Sequence, residues 1–151
     1  RASTLRKKHI GFIFQTYNLM QVYTVYENVE FPLLLLKMSD SERKKAVMDA
    51  LEWVGLTDKV KSKPKQLSGG ESQRVAIARA MVKKPEIVLA DEPTANLDAE
   101  NSHNILRTME QLNQELSTTF LFATHDDKVI QYLRRIISLE DGKVVKDEQV
   151  K

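Results

Sequence analysis

Cysteine is absent from the 151-residue chain, which excludes disulfides and thiolate metal sites while leaving the compartment open. Long apolar runs are missing too. The longest, Phe31 to Leu36, is interrupted by Pro32 and falls far short of a membrane span. No secretory signal is present, nor any internal repeat or low-complexity tract. There is little excess charge of either sign. A net charge of +2 argues against nucleic acid or an anionic membrane surface as a direct partner. The chain opens on Arg1 rather than methionine, as a fragment or a processed product would. What remains is a composition ordinary for a globular domain, 42% hydrophobic and 29% charged, at a length that can bury a real core.

Ile10-Gly11-Phe12-Ile13-Phe14 is a short apolar run that reads as a buried strand ending at Gln15. A polar and aromatic loop from Thr16 to Tyr23 follows, then a helical stretch, Val25 to Lys37, broken near Pro32. Ser39 and Glu42 have capping-box spacing and open a helix that Gly55 closes. Asp58 to Gln66 is a lysine-rich connector, expected to be a solvated loop. A second capping box, Ser68 with Glu71, opens a helix that runs to about Lys83 and stops at Lys84-Pro85.

Ile87-Val88-Leu89-Ala90 has the pattern of a parallel strand covered on both faces. Ala99 to Leu116 places Ile105, Leu106, Met109, Leu112 and Leu116 on one helical stripe. Phe120 to Ala123 is the next buried strand, with a short helix near Lys128 to Leu133 after it. Ile136 to Leu139 and Val144-Val145 flank Asp141-Gly142, a strong hairpin turn signal. Strands alternating with helices predict an α/β core with a mostly parallel sheet. Residues 19–83, with helices and no convincing strand, read as a helical insertion into a core formed by 1–18 and 84–151.

Five segments carry chemistry. Leu67-Ser68-Gly69-Gly70-Glu71-Ser72-Gln73 combines glycines, which admit close backbone approach, with a capped helix start whose N–H groups suit a terminal phosphate. Taken alone, it reads equally well as a capped helix after a loop. Asp91 is driven to the carboxyl end of a strand, the edge where α/β sheets bind ligands. An aspartate there can orient Mg²⁺ through its water shell, and Glu92 beside it can polarise a water for attack on phosphorus. An Asp-Glu pair after a strand is also a common turn. Asp98, in Ala95-Asn96-Leu97-Asp98, can cap the helix that follows. His125 ends the next strand and Gln15 ends the first, and singly neither means much.

In this order the five resemble the ABC ATPase family over nearly the whole chain. Gln15 matches the Q-loop, Leu67 to Gln73 the signature motif, and Ile87 to Glu92 the Walker B. Ala95 to Asp98 match the D-loop, and His125 the switch histidine. Within the family the chain is most similar to the lipoprotein-releasing and macrolide-exporter type. The alternatives are a cell-division or other non-transport ABC ATPase, or a non-catalytic interaction fragment. The resemblance implies a P-loop NTPase-like parallel sheet with an α-helical insertion. It also implies a head-to-tail dimer of identical subunits with two ATPs and Mg²⁺ sandwiched between them. Ser68, Gly69, Gly70 and Glu71 would meet the nucleotide of the partner subunit. Gln15, Asp91, Glu92 and His125 would act on their own subunit's nucleotide, with Glu92 as general base and Gln15 and Asp91 at the metal. Asp98 would couple the two sites. A transmembrane permease subunit would dock near the Q-loop, beside Tyr17, Leu19, Met20 and Tyr23, placing the chain on the cytoplasmic face of the membrane.

One family element does not occur among these residues. No Gly-x-x-x-x-Gly-Lys-[Ser/Thr] is found, and Arg1 to Lys8 is too short to hold one. The expectation is a chain that neither binds ATP tightly nor hydrolyses it alone. The family's N-terminal strands, with the P-loop strand central in the sheet, would be absent as well. The sheet would then expose backbone and apolar surface, favouring self-association or a complementary chain.

Overall fold

The computed structural model describes residues 1–151. Three strands, β1 (Ile10–Ile13), β2 (Ile87–Asp91) and β3 (Thr119–Ala123), form a parallel sheet in the order β1-β2-β3. The register sets Ile13 beside Ala90 and Asp91 beside Ala123, so the carboxyl ends of all three strands share one edge. Between β1 and β2 the chain is helical: α2 (Val25–Glu30), a 3₁₀ turn over Phe31–Leu35, α3 (Asp40–Trp53) and α4 (Gly69–Met81). Helix α5 (Ala99–Leu116) returns the chain from β2 to β3. After β3 come the short α6 (Asp127–Ile130) and a separate hairpin, β4 (Arg135–Glu140) and β5 (Lys143–Gln149).

The local signals act as their chemistry requires. Helices α2, α3 and α4 each start on a reciprocal capping box, Thr24 with Glu27, Ser39 with Glu42, and Ser68 with Glu71. Such a cap contributes about 1 kcal/mol. Pro32 sits where α2 tightens into the 3₁₀ turn. The hairpin turns on Asp141 and Gly142, both at positive φ (49° and 74°), the left-handed pair that a two-residue turn needs. Ile105, Met109 and Leu112 of α5 lie in one core with Ile77 and Met81 of α4, Leu51 of α3 and Val88 of β2. Burying each large aliphatic side chain contributes roughly 1.5–3 kcal/mol.

Several expectations need correction. The sheet is covered on one face only. The pleat turns Gly11, Ile13, Val88 and Ala90 inward, where α4 packs on β1 and α5 on β3. The alternate residues face outward: Phe12 (39% exposed), Phe14, Ile87 (41%) and Leu121 (57%). Continuous apolar runs therefore mark strands with one bare face here, and Phe12 and Phe14 stack on each other with centroids 6.0 Å apart. The lysine-rich connector is not a plain solvated loop. It holds 3₁₀ turns at Thr57–Lys59 and Pro64–Gln66, and Pro64 is buried. Its Ser62 and Val60 carbonyls accept the Val25 and Tyr26 N–H groups, 2.8 and 3.1 Å away, so its backbone closes the start of α2 while Lys61, Lys63 and Lys65 stay in water. Helix α4 ends at Met81, short of Lys83, because Lys84 turns left-handed (φ 51°) ahead of Pro85. An exposed α1 (Ala2–His9), with no buried residue and no side-chain cap, precedes β1.

Candidate functional site

The parallel register determines what can meet. Residues just past Ile13, Ala90 and Ala123 emerge side by side, which sets Gln15, Asp91-Glu92 and Thr124-His125 along one sheet edge. Glu92 is the most constrained of them. Its φ is +44°, a left-handed conformation that costs a non-glycine residue on the order of 1 kcal/mol or more. Its N–H donates to the Ala123 carbonyl at 2.9 Å, and its own carbonyl accepts from Ala95 at 3.2 Å.

Both Glu92 carboxylate oxygens are engaged from the next strand end. Thr124 Oγ1 donates to Oε2 at 3.1 Å, while the His125 N–H (3.2 Å) and Nδ1 (2.6 Å) contact Oε1. The Glu92 side chain is 18% exposed and that of His125 is 94% exposed. A largely sheltered carboxylate is thus bonded to a ring that is itself exposed to solvent. Asp91 is exposed at the end of β2, one residue before it.

Gln15 is fixed through its backbone: Asn96 Nδ2 donates to the Gln15 carbonyl at 3.0 Å, leaving the Gln15 side chain exposed. Asp98 caps α5, accepting from the Asn101 N–H (2.8 Å) and from Asn101 Nδ2 (3.0 Å). The Asn101 N–H is the first cause of its depressed carboxyl pKa. Ser68 Oγ accepts the Glu71 N–H at 3.1 Å, and the Ser68 N–H donates to Glu71 Oε1 at 3.0 Å. That Ser68 N–H is likewise the leading reason the Glu71 pKa lies below the usual carboxylate range, with the Ser68 hydroxyl, Lys59 and Arg74 adding to it.

The two glycines serve different neighbours. Gly69 is exposed, close to the Tyr17 hydroxyl and Leu97. Gly70 is buried against the start of α5, and a Cβ there would collide with the Asn101 side-chain oxygen. Gln73, fully buried one turn on, donates its side-chain amide to the Pro93 carbonyl. Glu92 and His125 are therefore brought together, and Gln15 is tied to the Asn96 turn. Ser68-Gly69-Gly70-Glu71 form a separate capped helix start beside Asp98 and Asn101.

Sequence reasoning passed over Asn96, Asn101, Thr124 and Gln73. Asn96 and Thr124 lay inside the motifs already marked. Gln73 closed the Leu67–Gln73 motif, but its bond to the Pro93 carbonyl, 20 positions on, left no mark in the spacing. Asn101 bonds Asp98 three residues back, and its packing against Gly70 carried no signal. No group of three or more histidine and acidic residues able to hold a metal is present. Asp91 and Gln15, exposed at neighbouring strand ends, suit a magnesium ion that takes its remaining ligands from phosphates and water.

Comparison with known proteins gives a consistent picture. A family model described as "ABC transporter" matches residues 1–95. The cell division ATP-binding protein FtsE of Streptococcus pneumoniae (serotype 2, strain D39) is 45% identical over 145 residues, covering 95% of this chain and 63% of that protein. The lipoprotein-releasing system ATP-binding protein LolD of Pseudoalteromonas translucida is 45% identical over 148 residues, covering 97% of this chain and 64% of its own length. Among solved structures, a dimeric post-hydrolysis state of the ATP-binding cassette MJ0796, bound to ADP and Pi, superposes with a TM-score of 0.84 at 41% identity. That match covers 99% of this chain and 66% of the other. The chain thus spans just under two thirds of the length of each of these proteins.

Proposed function

The chain belongs to the ABC transporter family of ATP-binding proteins, and from that premise we propose that it is part of an ATP-hydrolysing subunit that powers a membrane partner. The observation that carries this reading is Glu92, held left-handed at the end of β2 with its carboxylate gripped by Thr124 and His125. A carboxylate so placed can accept a proton from a water attacking the terminal phosphorus of ATP in line. His125, exposed and bonded to Glu92, would hold the water and the terminal phosphate in register with it. Asp91 and Gln15 would hold Mg²⁺, which supplies charge neutralisation at the phosphates when bound. Ser68, Gly69, Gly70 and Glu71 offer the N-terminus of α4, with its unpaired N–H groups, to the nucleotide of a second copy. Asp98, between α4 and the Glu92 turn, would relay occupancy of one site to the other.

The division into a core (1–18 and 84–151) and a helical insertion (19–83) is part of this proposal, as is the seat of a permease subunit against Tyr17, Leu19, Met20 and Tyr23. No helix is long and apolar enough to cross a membrane. From its family, the reading assigns the spanning role to that partner and places this chain on its cytoplasmic side. By resemblance the work served is transport, or lipoprotein or macrolide export, with the cargo chosen by the membrane partner. The equal identity to FtsE favours a second reading, service to a cell-division membrane complex. Co-purification decides between them: an export permease supports the first, a division-site membrane protein the second.

We further propose that these residues do not hold ATP alone. The bare sheet face and the unpaired edge of β3 are where a segment carrying a phosphate loop would add. Mixing two variants, each completed with such a segment, tests the composite site. Ser68→Arg and Glu92→Gln proteins should each be inactive, while their mixture recovers turnover. A mixture as inactive as its components would rule out sharing between copies.

A further inference from the structure

The turn that follows Gln15 is strained. Tyr17 and Asn18 are consecutive residues at positive φ (64° and 52°), a conformation asparagine tolerates and tyrosine rarely adopts. The local bonds are few: the Tyr17 N–H donates to the Phe14 carbonyl at 3.2 Å and the Asn18 N–H to the Thr16 carbonyl at 2.7 Å. The carbonyls of these same two residues are held by one side chain, 62 and 61 positions away. Arg79, on the last turn of α4, donates Nη2 to the Tyr17 carbonyl at 2.6 Å and Nη1 to the Asn18 carbonyl at 2.7 Å.

Arg79 is partly buried and forms no ion pair with any carboxylate of the chain. Burial lowers its pKa from the usual guanidinium value. A charge placed there without a counter-ion is stabilised by these charge-assisted bonds. The last turn of α4 comes close enough to reach because Gly11 of β1 has no side chain. A Cβ there would lie 2.7 Å from the Ala80 carbonyl oxygen. Asn28, fully buried, separately fastens the next stretch, accepting from the Met20 N–H at 2.8 Å and donating to the Met20, Tyr23 and Thr24 carbonyls.

We propose that Arg79 is a positioning residue: its forked grip on the Tyr17 and Asn18 carbonyls sets the direction of Gln15 and ties that turn to α4. Gln15 is thereby fixed from two sides, by Asn96 before the turn and by Arg79 within it. Any shift of α4 drags the Gln15 backbone with it, so the helix that meets one nucleotide moves the residue that serves the other. This consequence rests on the ATPase reading; the grip itself does not.

The test uses the full chain with Arg79→Lys and Arg79→Ala, read by backbone NMR relaxation. A lysine keeps the charge but cannot fork onto two carbonyls. In the unaltered chain, Thr16 to Asn18 should show rigid order parameters of about 0.85. In Arg79→Ala they should fall below about 0.6, and in Arg79→Lys to an intermediate value, with β1 and α4 unchanged. Rigid values retained in both variants, or a loss spread evenly over β1 and α4, would overturn the proposal. If Arg79→Ala does not fold, Arg79→Lys alone decides by the same criterion.

Turnover is then measured on protein completed with a phosphate-loop segment. Arg79→Lys should lower kcat at least tenfold with KM for ATP within twofold. A loosened turn with unchanged kcat would leave Arg79 a structural residue and refute its positioning role. Absence of turnover in the unaltered completed protein would instead defeat the ATPase reading, leaving the relaxation result to decide the grip.

Discussion

Gly70→Ala tests whether the glycine of the α4 start answers to a neighbour inside the same chain. Adding a methyl to a helical glycine normally stabilises by about 0.5–1 kcal/mol. Here the new Cβ would run into the Asn101 side-chain oxygen and its Cγ, so Asn101 must rotate away. Rotation breaks the Nδ2 bond to Asp98 Oδ2, worth about 1 kcal/mol, and overpacking adds roughly 1–3 kcal/mol. The net expectation is a loss of about 1–3.5 kcal/mol. Asn101→Ala alone should cost about 1 kcal/mol. In that background Gly70→Ala should become neutral or stabilising, because the Asn101 Cβ is an ordinary 3.5 Å from the new methyl. The double-mutant cycle, read from urea midpoints at constant m, should give a coupling of at least about 1 kcal/mol. Additivity of the two changes within about 0.5 kcal/mol would refute the contact.

Two further predictions concern stability. Glu71 has a folded-state pKa below its unfolded value, so its contribution is present above the unfolded pKa and is lost as pH falls through the folded one. The stability difference between the unaltered chain and Glu71→Gln should therefore be full at neutral pH and shrink in acid below about pH 4.3; a difference constant down to pH 3 would contradict this. Ile77, fully buried between the helices and the sheet, should cost about 2–5 kcal/mol when cut to alanine, seen as a lower urea midpoint with unchanged m.

Local order was readable where a residue's role depends on near neighbours. Ser39–Glu42 and Ser68–Glu71 announce their capping boxes by spacing, Asp141-Gly142 its turn, and the Ile105-Met109-Leu112 stripe its buried face. The placement of the candidate site residues was readable for a related reason: apolar strands deliver Asp91 and His125 to one edge whatever the packing around them. What stayed hidden depends on partners distant in sequence. The apolar runs of β2 and β3 look the same whether one face or both are covered, so the bare flank of Phe12, Ile87 and Leu121 could not be read from them. Gly70 looked like space for another molecule, and it is also space for Asn101. Arg79 and Asn96 reach main-chain carbonyls, which leave no mark in the residues they hold.

The most direct test of the central claim is magnesium-dependent ATP turnover by the purified 151-residue chain, alone and after addition of a segment carrying a phosphate loop. The account predicts no turnover alone, turnover after addition, and its loss when Glu92 is replaced by glutamine. Turnover by the chain alone that Glu92→Gln abolishes would contradict the need for a second segment. Turnover in the completed protein that survives Glu92→Gln would contradict the role given to Glu92.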